Sequence, residues 1–321
     1  MKNPAKALPA LLLALCLPLL SACGILNFNK DPETRPAETS SSPASTERQA
    51  SSTEPQATEA IFTLDELPRI DGSTANIPLG ELLVRRVTGC GEVQAERKIN
   101  FSKTTQAYQN LVYGSADFLL VYEGAPFENS ENVELEKHVI GSDALVFLTG
   151  RQNPVESLTG QQIIDIYQGK ALNWSQIGGQ DAEIVAYQRN EGSGSQNLME
   201  KLVMRDLPMM EAPQELYVAE MGGLISAVAE YQPGKASLGY SVYYYAQNMY
   251  QDPDVKLLSV DGVAPGNATI ADGSYPYTNA FYAVIRADEP EGSPARRLLE
   301  WVLSEEGARC VTEAGYVSVT E

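Results

Sequence analysis

Two stretches of almost unbroken apolar residues constrain the fold of this chain more than any other feature. The first is Ala116–Tyr122 and the second is Asp143–Thr149. Such runs are typical of strands that are covered on both faces, as in a sheet flanked by helices. Helical patterns alternate with them; over Leu158–Gly169, Thr159 is the expected N-cap and Gly169 the expected C-terminal stop. The alternation predicts an α/β fold with parallel strands.

The other predicted elements continue this alternation through the folded part of the chain, residues 61–321. That part is long enough for one large domain or for two lobes. A short strand is expected to end at Ser102, and a helix to begin at Lys103. Further strands are expected over 183–187, 237–242, 255–260 and 278–285, and further helices over 79–87, 195–204, 221–231 and 293–314, the last broken near Glu305–Gly307.

Residues 1–23 have the layout of a secretory signal peptide. Lys2 and Lys6 give a positive start, Leu8–Leu20 is an apolar run, and small residues lead into Cys23. The run is too short to span a bilayer, which takes about 20 apolar residues. Its ending, Leu-Ser-Ala-Cys, resembles a bacterial lipobox and predicts lipidation of Cys23 after cleavage; an ordinary cleaved signal with an incidental cysteine is the alternative. The expected location is the extracytoplasmic face of the cell membrane, held by the lipid anchor.

The next segment and the overall charge limit the partners that can be expected. Residues 24–60 are rich in Ser, Thr, Pro, Glu and Gln and poor in large apolar side chains, which predicts a disordered tether. The formal net charge of −19 argues against nucleic acid or an anionic lipid surface as a partner. Any bound anion must therefore be attracted by a local site and not by the overall field.

Cysteine and histidine usage limits the chemistry of the folded part. Cys90 and Cys310 are candidates for a disulfide in an exported protein, and two unpaired, buried thiols are the alternative. The chain has a single histidine, His138, which cannot supply a multi-histidine metal site. No metal and no cofactor is therefore expected.

Three predicted turns that lead into helices share one character. They are Asp71–Thr74, Phe101–Thr104 and Gly192–Ser195. Each places hydroxyl groups at a helix start, where unpaired N–H groups and the positive end of the helix dipole favour anions. In open α/β sheets, ligands bind at the carboxyl ends of strands, where these turns are expected. Plain helix capping is the alternative for any single turn.

The third turn carries the strongest signal because Arg189 precedes it. Two glycines, Gly192 and Gly194, let the backbone approach a ligand, while Ser193 and Ser195 offer hydroxyl donors. The planar guanidinium of Arg189 could bind an anion with several oxygens in a bidentate manner. The alternative for Arg189 is a surface salt bridge, for example with Glu191.

Motifs of the common hydrolases are missing from the sequence. It has no Gly-x-x-x-x-Gly-Lys-[Ser/Thr] phosphate loop. Gly192–Ser195 does not have the Gly-x-Ser-x-Gly pattern of a hydrolase nucleophile. A serine hydrolase or a phosphatase is therefore only a distant alternative, and the sequence predicts a binding protein and not an enzyme.

Several segments, in this order, resemble the phosphate-binding lipoproteins of bacterial ABC transporters, a periplasmic-binding-protein family. The resemblance spans nearly all of residues 64–320. Its carriers are Asp71-Gly-Ser-Thr-Ala75, Asp143-Ala-Leu-Val-Phe147, Asn153-Pro-Val155 with Leu158-Thr159, Asp165-Ile-Tyr-Gln-Gly-Lys-Ala-Leu-Asn-Trp174, Gln188-Arg-Asn-Glu-Gly-Ser-Gly-Ser195 and Leu238-Gly-Tyr240.

The resemblance implies a two-lobed fold of type II, with two crossings between the lobes and an anion in the cleft. Lobe one is expected at 61–147 plus 273–321, and lobe two at 148–272. Carried over by position, the ligand-binding residues would be Ser73, Thr74, Ala75 and Ser102 from lobe one and Arg189, Ser193, Gly194 and Ser195 from lobe two.

The family also uses an acidic side chain that accepts the proton of hydrogen phosphate, a proton that sulfate lacks. An unpaired buried carboxylate would repel the wrong anion. Glu123 is the nearest match, in place of the expected Asp. At the second turn, Ser102-Lys-Thr104 replaces a more glycine-rich sequence.

The resemblance thus implies a monomeric, extracytoplasmic substrate-binding lipoprotein that captures inorganic phosphate and delivers it to an ABC transporter permease. One alternative is a binding protein for another oxyanion. Another is a lipoprotein that acts in sensing or adhesion and not in transport.

Overall fold

A computed structural model describes residues 60–205, 207–212, 216–230 and 232–318. The predictions for the signal peptide, for lipidation of Cys23 and for nearly all of the tether lie outside these residues. The strands are β1 (Ile70–Gly72), β2 (Phe118–Val121), β3 (Leu135–Gly150), β4 (Ser157–Leu158), β5 (Glu183–Ala186), β6 (Gln188–Arg189), β7 (Tyr217–Val218), β8 (Lys235–Val242), β9 (Val255–Val260), β10 (Thr278–Arg286) and β11 (Val317–Ser318). The α-helices are α1 (Ile77–Thr88), α2 (Glu92–Glu96), α3 (Thr104–Val112), α4 (Gly160–Tyr167), α5 (Gly194–Leu198), α6 (Met221–Ala229), α7 (Asn267–Ala271), α8 (Pro294–Val302) and α9 (Glu305–Glu313).

The main sheet is open and mixed, with the order β1-β2-β10-β3-β8-β5. β1 and β2 are parallel, as are β5 and β8, whereas β3 is antiparallel to β10, β8 and β9. The α/β class is therefore confirmed, but the prediction of parallel strands is wrong for the centre of the sheet. Antiparallel neighbours need no helical crossover, so an alternation of helices and strands does not reveal them.

The strand β3 pairs with both halves of the main sheet. Its first part, up to Ala144, pairs with β10, and its last part, from Leu145, pairs with β8 and β9. The sequence predicts only 143–149 as strand, because the segment before it contains the polar run Glu136-Lys-His138. These polar residues lie at the exposed or half-buried start of β3, while its apolar end is buried on both faces.

Most helices begin and end within a few residues of their predicted bounds, because their capping residues are visible in the sequence. Thr159 caps α4 by accepting a hydrogen bond from the backbone N–H of Gln162 at 3.1 Å, and Gly169 adopts φ +74° just beyond its end. The helix predicted over 195–204 is α-helical only as far as Leu198 and continues as a π-helix over Met199–Met204.

One of two further predictions agrees with the structure and the other does not. The tail consists of two helices, α8 and α9, which are separated at Leu303–Ser304, directly before the break predicted near Glu305–Gly307. The strand predicted to end at Ser102 is reduced to a single bridge between Ile99 and Ile70. Ser102 instead bonds to the carboxylate of Asp71.

The described residues belong to one compact unit. β3 changes partners between Ala144 and Leu145, close to the lobe boundary predicted at 147. The division into two lobes, with its other boundary near 273, stays a prediction.

A buried carboxylate, that of Asp143, lies at this change of partners. One of its oxygens accepts the N–H of Ala144 at 2.7 Å and that of Tyr244 at 3.1 Å, and the other accepts the hydroxyl of Tyr122 at 2.6 Å. Asp143 thereby joins β3 to the residues that follow β2 and β8. Burial raises the pKa of Asp143 to about 6, although its hydrogen bonds oppose the rise.

This raised pKa predicts an unusual pH dependence of stability. A carboxyl whose pKa is higher in the folded protein stabilises the fold when protonated; this contribution is complete below the ordinary value of 3.8 and is lost as the pH rises through about 6. The substitution Asp143→Asn removes the titration. From about pH 7 down to pH 4, the free energy of unfolding of the native protein should rise by about 2–3 kcal/mol relative to D143N. Urea unfolding at several pH values measures this, and parallel pH profiles would contradict it.

Candidate functional site

The three turns singled out in the sequence meet around one small, narrow cavity. Each turn follows a β-strand or bridge and leads into a helix, so residues at the start of three helices line the cavity. The residues that line the cavity are Ser73, Thr74, Ala75, Lys103, Thr104, Tyr122, Arg189, Ser193, Gly194, Ser195, Met221 and Val242. Of the predicted ligand-binding residues, the structure brings together all except Ser102 and Glu123.

The first turn fixes Ser73 against the sheet. The N–H of Ser73 donates to the carbonyl of Leu120 at 3.0 Å, and its hydroxyl accepts the N–H of Tyr122 at 3.2 Å. The same hydroxyl lies 2.7 Å from that of Thr104. Gly72 is required here, because a Cβ at this position would lie 2.3 Å from the carbonyl oxygen of Leu120. Ser73 is therefore held between the end of β2 and the start of α3.

Asp71 shapes the second turn and keeps Ser102 out of the cavity. One oxygen of its buried carboxylate accepts the N–H of Ser102 at 2.7 Å, and the other accepts the Ser102 hydroxyl, also at 2.7 Å. Asn110 donates to the second oxygen at 2.7 Å. The chain then passes through Lys103 with φ +78°, which places Thr104 in the first turn of α3.

Thr104 thus lines the cavity in the place expected of Ser102. Sequence reasoning missed it because both residues are hydroxylic and both stand near the predicted helix start. The signal that could have found it is the carboxylate of Asp71, which needs donors from the neighbouring turn. Once Ser102 satisfies Asp71, Thr104 is the next hydroxyl along the chain.

Arg189, on β6, places its guanidinium on the opposite side of the cavity. Nε donates to the carbonyl of Val218 at 2.8 Å and Nη2 to that of Ala219 at 3.0 Å, which fixes the plane of the group. Nη1 lies 3.3 Å from the hydroxyl of Ser195. The main-chain N–H of Arg189 lies 3.1 Å from the hydroxyl of Tyr240.

The charge of Arg189 is buried without a close counter-ion. The residue is 3% exposed, and no carboxylate in the described part of the chain lies within 4.0 Å of its guanidinium nitrogens. Glu220 is the carboxylate that acts on it through space, but its side chain pairs with Lys103 at 2.9 Å. Burial lowers the pKa of Arg189, yet a guanidinium stays protonated in proteins. The predicted alternative, a salt bridge with Glu191, does not form.

The third turn brings its backbone up to Thr104. Gly192 has φ +78°, a conformation that favours glycine, and Ser193 caps α5 by accepting the N–H of Gln196 at 3.4 Å. A Cβ on Gly194 would lie 2.5 Å from the Thr104 hydroxyl. The glycine is therefore needed for the two sides of the cavity to approach each other.

Glu123 lies outside the cavity lining. Its carboxylate is 3.3 Å from the ammonium of Lys137 and 4.0 Å from that of Lys201. The neighbouring residue Tyr122 does line the cavity, so the strand end is where the sequence places it but the carboxylate points to the lysines. The prediction that Glu123 faces the anion is therefore not supported by its position.

The structure also bears on the predictions made for the cysteines, the histidine and metal binding. Cys90 and Cys310 are free thiols and form no disulfide in the structure. Burial raises the pKa of Cys310 to about 12. His138 pairs with Glu136 at 2.8 Å. Within the described residues, no cluster of His, Cys, Asp or Glu could hold a metal ion, and no helix is long and apolar enough to cross a membrane.

Comparison with known proteins places the chain in a family. Residues 69–306 match the model of the PBP superfamily domain. The chain belongs to the PBP superfamily. It is 24% identical over 266 residues to the phosphate-binding protein PstS of Staphylococcus aureus strain USA300, covering 78% of each chain. It is 27% identical over 198 residues to PstS of Bacillus subtilis strain 168, covering 60% of this chain and 62% of that one.

The fold is also that of solved PBP structures. One is a Clostridium perfringens protein assigned to the substrate-binding proteins of phosphate ABC transporters, with bound phosphate. It is 26% identical, has a TM-score of 0.63, and the match covers 79% of this chain and 99% of that one. The predicted periplasmic-binding-protein fold is thereby confirmed. The named relatives are binding proteins, which confirms the prediction of a binding protein and not an enzyme.

The close approach of Gly194 in this PBP cavity can be tested by Gly194→Ala. The added methyl group would overlap the Thr104 hydroxyl, so the free energy of unfolding should fall by about 1–3 kcal/mol. Gly91→Ala is the matched control, since Gly91 has φ −76° and the nearest atom to a Cβ there is 3.7 Å away. Its effect should stay below about 1 kcal/mol, the cost expected for alanine at the exposed N-cap of α2. Urea unfolding measures both, and equal effects would contradict the crowding at Gly194.

Proposed function

We propose that this protein is an extracytoplasmic lipoprotein that captures inorganic phosphate and delivers it to an ABC transporter permease. The observation that carries the proposal is the buried guanidinium of Arg189, which faces a hydroxyl-lined cavity without a carboxylate at salt-bridge distance in the described residues. A buried charge without a counter-ion is costly, and a bound anion would remove that cost.

The arrangement of donors supports a tetrahedral oxyanion as the ligand. Hydroxyls approach from several directions: Ser73 and Thr104 on one side, and Ser193 and Ser195 on the other. The guanidinium adds charge, and helix-start N–H groups add neutral donors. An anion with four oxygens can use donors that converge from all sides, whereas a planar carboxylate cannot.

The relatives support phosphate among such anions. The Staphylococcus aureus and Bacillus subtilis relatives are named phosphate-binding proteins, and the Clostridium perfringens structure contains phosphate. At identities of 24–27%, the likeness supports a shared ligand class, and the donor-lined cavity supplies the independent physical reason.

We propose that two lobes, 61–147 plus 273–321 and 148–272, close on the anion. Lobe closure is a common way to bind small ligands, and a transporter can recognise the closed form. One of the two crossings would be β3, at the point where it changes partners and where Asp143 makes its hydrogen bonds.

Contacts across the cavity support this closing motion. The N–H of Thr105 lies 3.4 Å from the carbonyl of Gly192, and the side-chain amide of Asn197 is 3.3 Å from the Thr105 hydroxyl. Lys103 and Glu220 form an ion pair at 2.9 Å on the same face. Each of these exposed or partly exposed contacts is weak, so they would allow the cleft to open again.

The location and partners complete the proposal. Lipidation of Cys23 would hold the protein at the membrane, with residues 24–60 as a tether that lets the binding domain reach the permease. The domain would act as a monomer, without cofactor, metal or nucleic acid.

Substitution of Arg189 tests the proposed site. In isothermal titration calorimetry, Arg189→Ala should weaken phosphate binding by about 100-fold or more, because the anion loses its one buried charge partner. Arg189→Lys should be intermediate, since it keeps the charge but loses the planar fork. The control Arg85→Ala, at an exposed position on α1, should bind like the native protein.

The same titrations decide between ligands. Phosphate should also raise the melting temperature of the native protein and not that of R189A, since a ligand stabilises only the protein that binds it. Heat with another oxyanion but not with phosphate would favour the alternative binding protein. Undiminished phosphate binding by R189A would refute the assignment of the site.

A further inference from the structure

Two ion pairs connect the segment proposed as lobe one with the segment proposed as lobe two. The ammonium of Lys103 lies 2.9 Å from a carboxylate oxygen of Glu220. The carboxylate of Glu123 lies 4.0 Å from the ammonium of Lys201. Lys103 and Glu123 belong to residues 61–147, whereas Glu220 and Lys201 belong to residues 148–272. Both pairs must therefore break when two lobes with these bounds move apart.

The two ion pairs have opposite polarity. Lobe one contributes the cation, Lys103, to the first pair and the anion, Glu123, to the second, and lobe two contributes the reverse. A displaced alignment that exchanged the partners would place the two lysines together and the two glutamates together, and like charges repel. The crossed polarity therefore favours a single alignment of the lobes, which two pairs of the same polarity would not do.

The ion pairs lie beside the cavity. Lys103 is one of the residues that line it, and its φ of +78° is uncommon for a residue other than glycine. Glu123 directly follows the lining residue Tyr122, and Glu220, the N-cap of α6, directly precedes the lining residue Met221. The pairs are thus close enough to the cavity for their separation to open it.

Both pairs are suited to breaking again. The exposed fraction of the four charged side chains is between 29% and 71%, and an ion pair at such exposure contributes little, because water replaces it at small cost. Lys137, which belongs to the same segment as Glu123, lies 3.3 Å from its carboxylate. Glu123 therefore keeps a cationic partner when Lys201 withdraws. The pairs can favour closure without preventing release of the ligand.

We infer that Glu123 and Glu220 are positioning residues: through their lysine partners in the other lobe they hold the closed alignment, and they do not contact the ligand. The inference rests on the proposed binding function and its lobe closure. Glu123 then serves closure in place of the ligand contact predicted from the sequence. A ligand that binds the closed form gains affinity from any interaction that stabilises that form, so both pairs should tighten binding.

The sign of the effect separates this role from that of charge alone. Both carboxylates are negative and lie near a cavity proposed for an anion, and Glu220 acts through space on the guanidinium of Arg189. If only the local field changed, removal of either carboxylate would strengthen anion binding. Loss of a contact that holds the lobes closed would weaken binding instead.

Calorimetry with inorganic phosphate on Glu123→Gln and Glu220→Gln tests the inference. Glutamine keeps the size of the side chain and removes its charge, and both positions reach solvent, so the variants should fold. Each substitution should raise the dissociation constant about 2–5-fold, and the double variant should raise it further. Glu183→Gln is the matched control, since it removes the same charge from an exposed pair within lobe two, 3.1 Å from Lys235. It should bind phosphate like the native protein.

Charge reversal and salt provide two further readouts. Glu123→Lys places a third cation beside Lys137 and Lys201, so it should weaken phosphate binding more than Glu123→Gln does. Addition of Lys201→Glu should recover part of that loss, because an opposite pair is restored. A rise in sodium chloride from about 50 mM to about 500 mM should weaken binding more in the native protein than in E123Q/E220Q, since salt screens exposed pairs.

The outcomes separate this inference from the proposed function. Unchanged or smaller dissociation constants in E123Q and E220Q, beside phosphate binding by the native protein, would overturn the inference and leave the proposed function intact. A loss of equal size in Glu183→Gln would also overturn it. Binding of no oxyanion by the native protein would refute the proposed function, and the inference with it.

Discussion

Arg189 keeps its guanidinium buried by giving two N–H groups to the main-chain carbonyls of Val218 and Ala219. These bonds orient the group and satisfy part of its hydrogen-bonding capacity, but a carbonyl does not neutralise its charge. The other features of the cavity follow from this requirement. Hydroxyls and helix starts surround the charge, and glycine at 194 lets the backbone of the third turn come close to the Thr104 hydroxyl.

The fold was predictable where the local pattern and the tertiary environment agree. The bounds of β9 and the cap and stop of α4 could be predicted because a buried strand and a capped helix carry their signals within a few residues. The extended start of β3 and the antiparallel centre of the sheet could not. Strand direction depends on which segments pair, and that information is not contained in any one segment.

The candidate site also has some features that the sequence predicts and others that it does not. Arg189 and the Gly192 turn could be predicted because their chemistry is concentrated in one short stretch. Thr104 could not be separated from Ser102, since the choice depends on Asp71, some thirty residues earlier in the chain. The direction of the Glu123 carboxylate was equally hidden, because it is decided by Lys137 and Lys201 from two other elements. Short-range patterns identify donors, whereas long-range contacts decide which of them line the cavity.

The continuity of β3 has a consequence for how the molecule unfolds. Its backbone is hydrogen-bonded to β10 along one part and to β8 and β9 along the other. Neither half of the sheet can melt without stripping main-chain partners from a strand that the other half also uses. We therefore expect the two halves to unfold together and not one at a time.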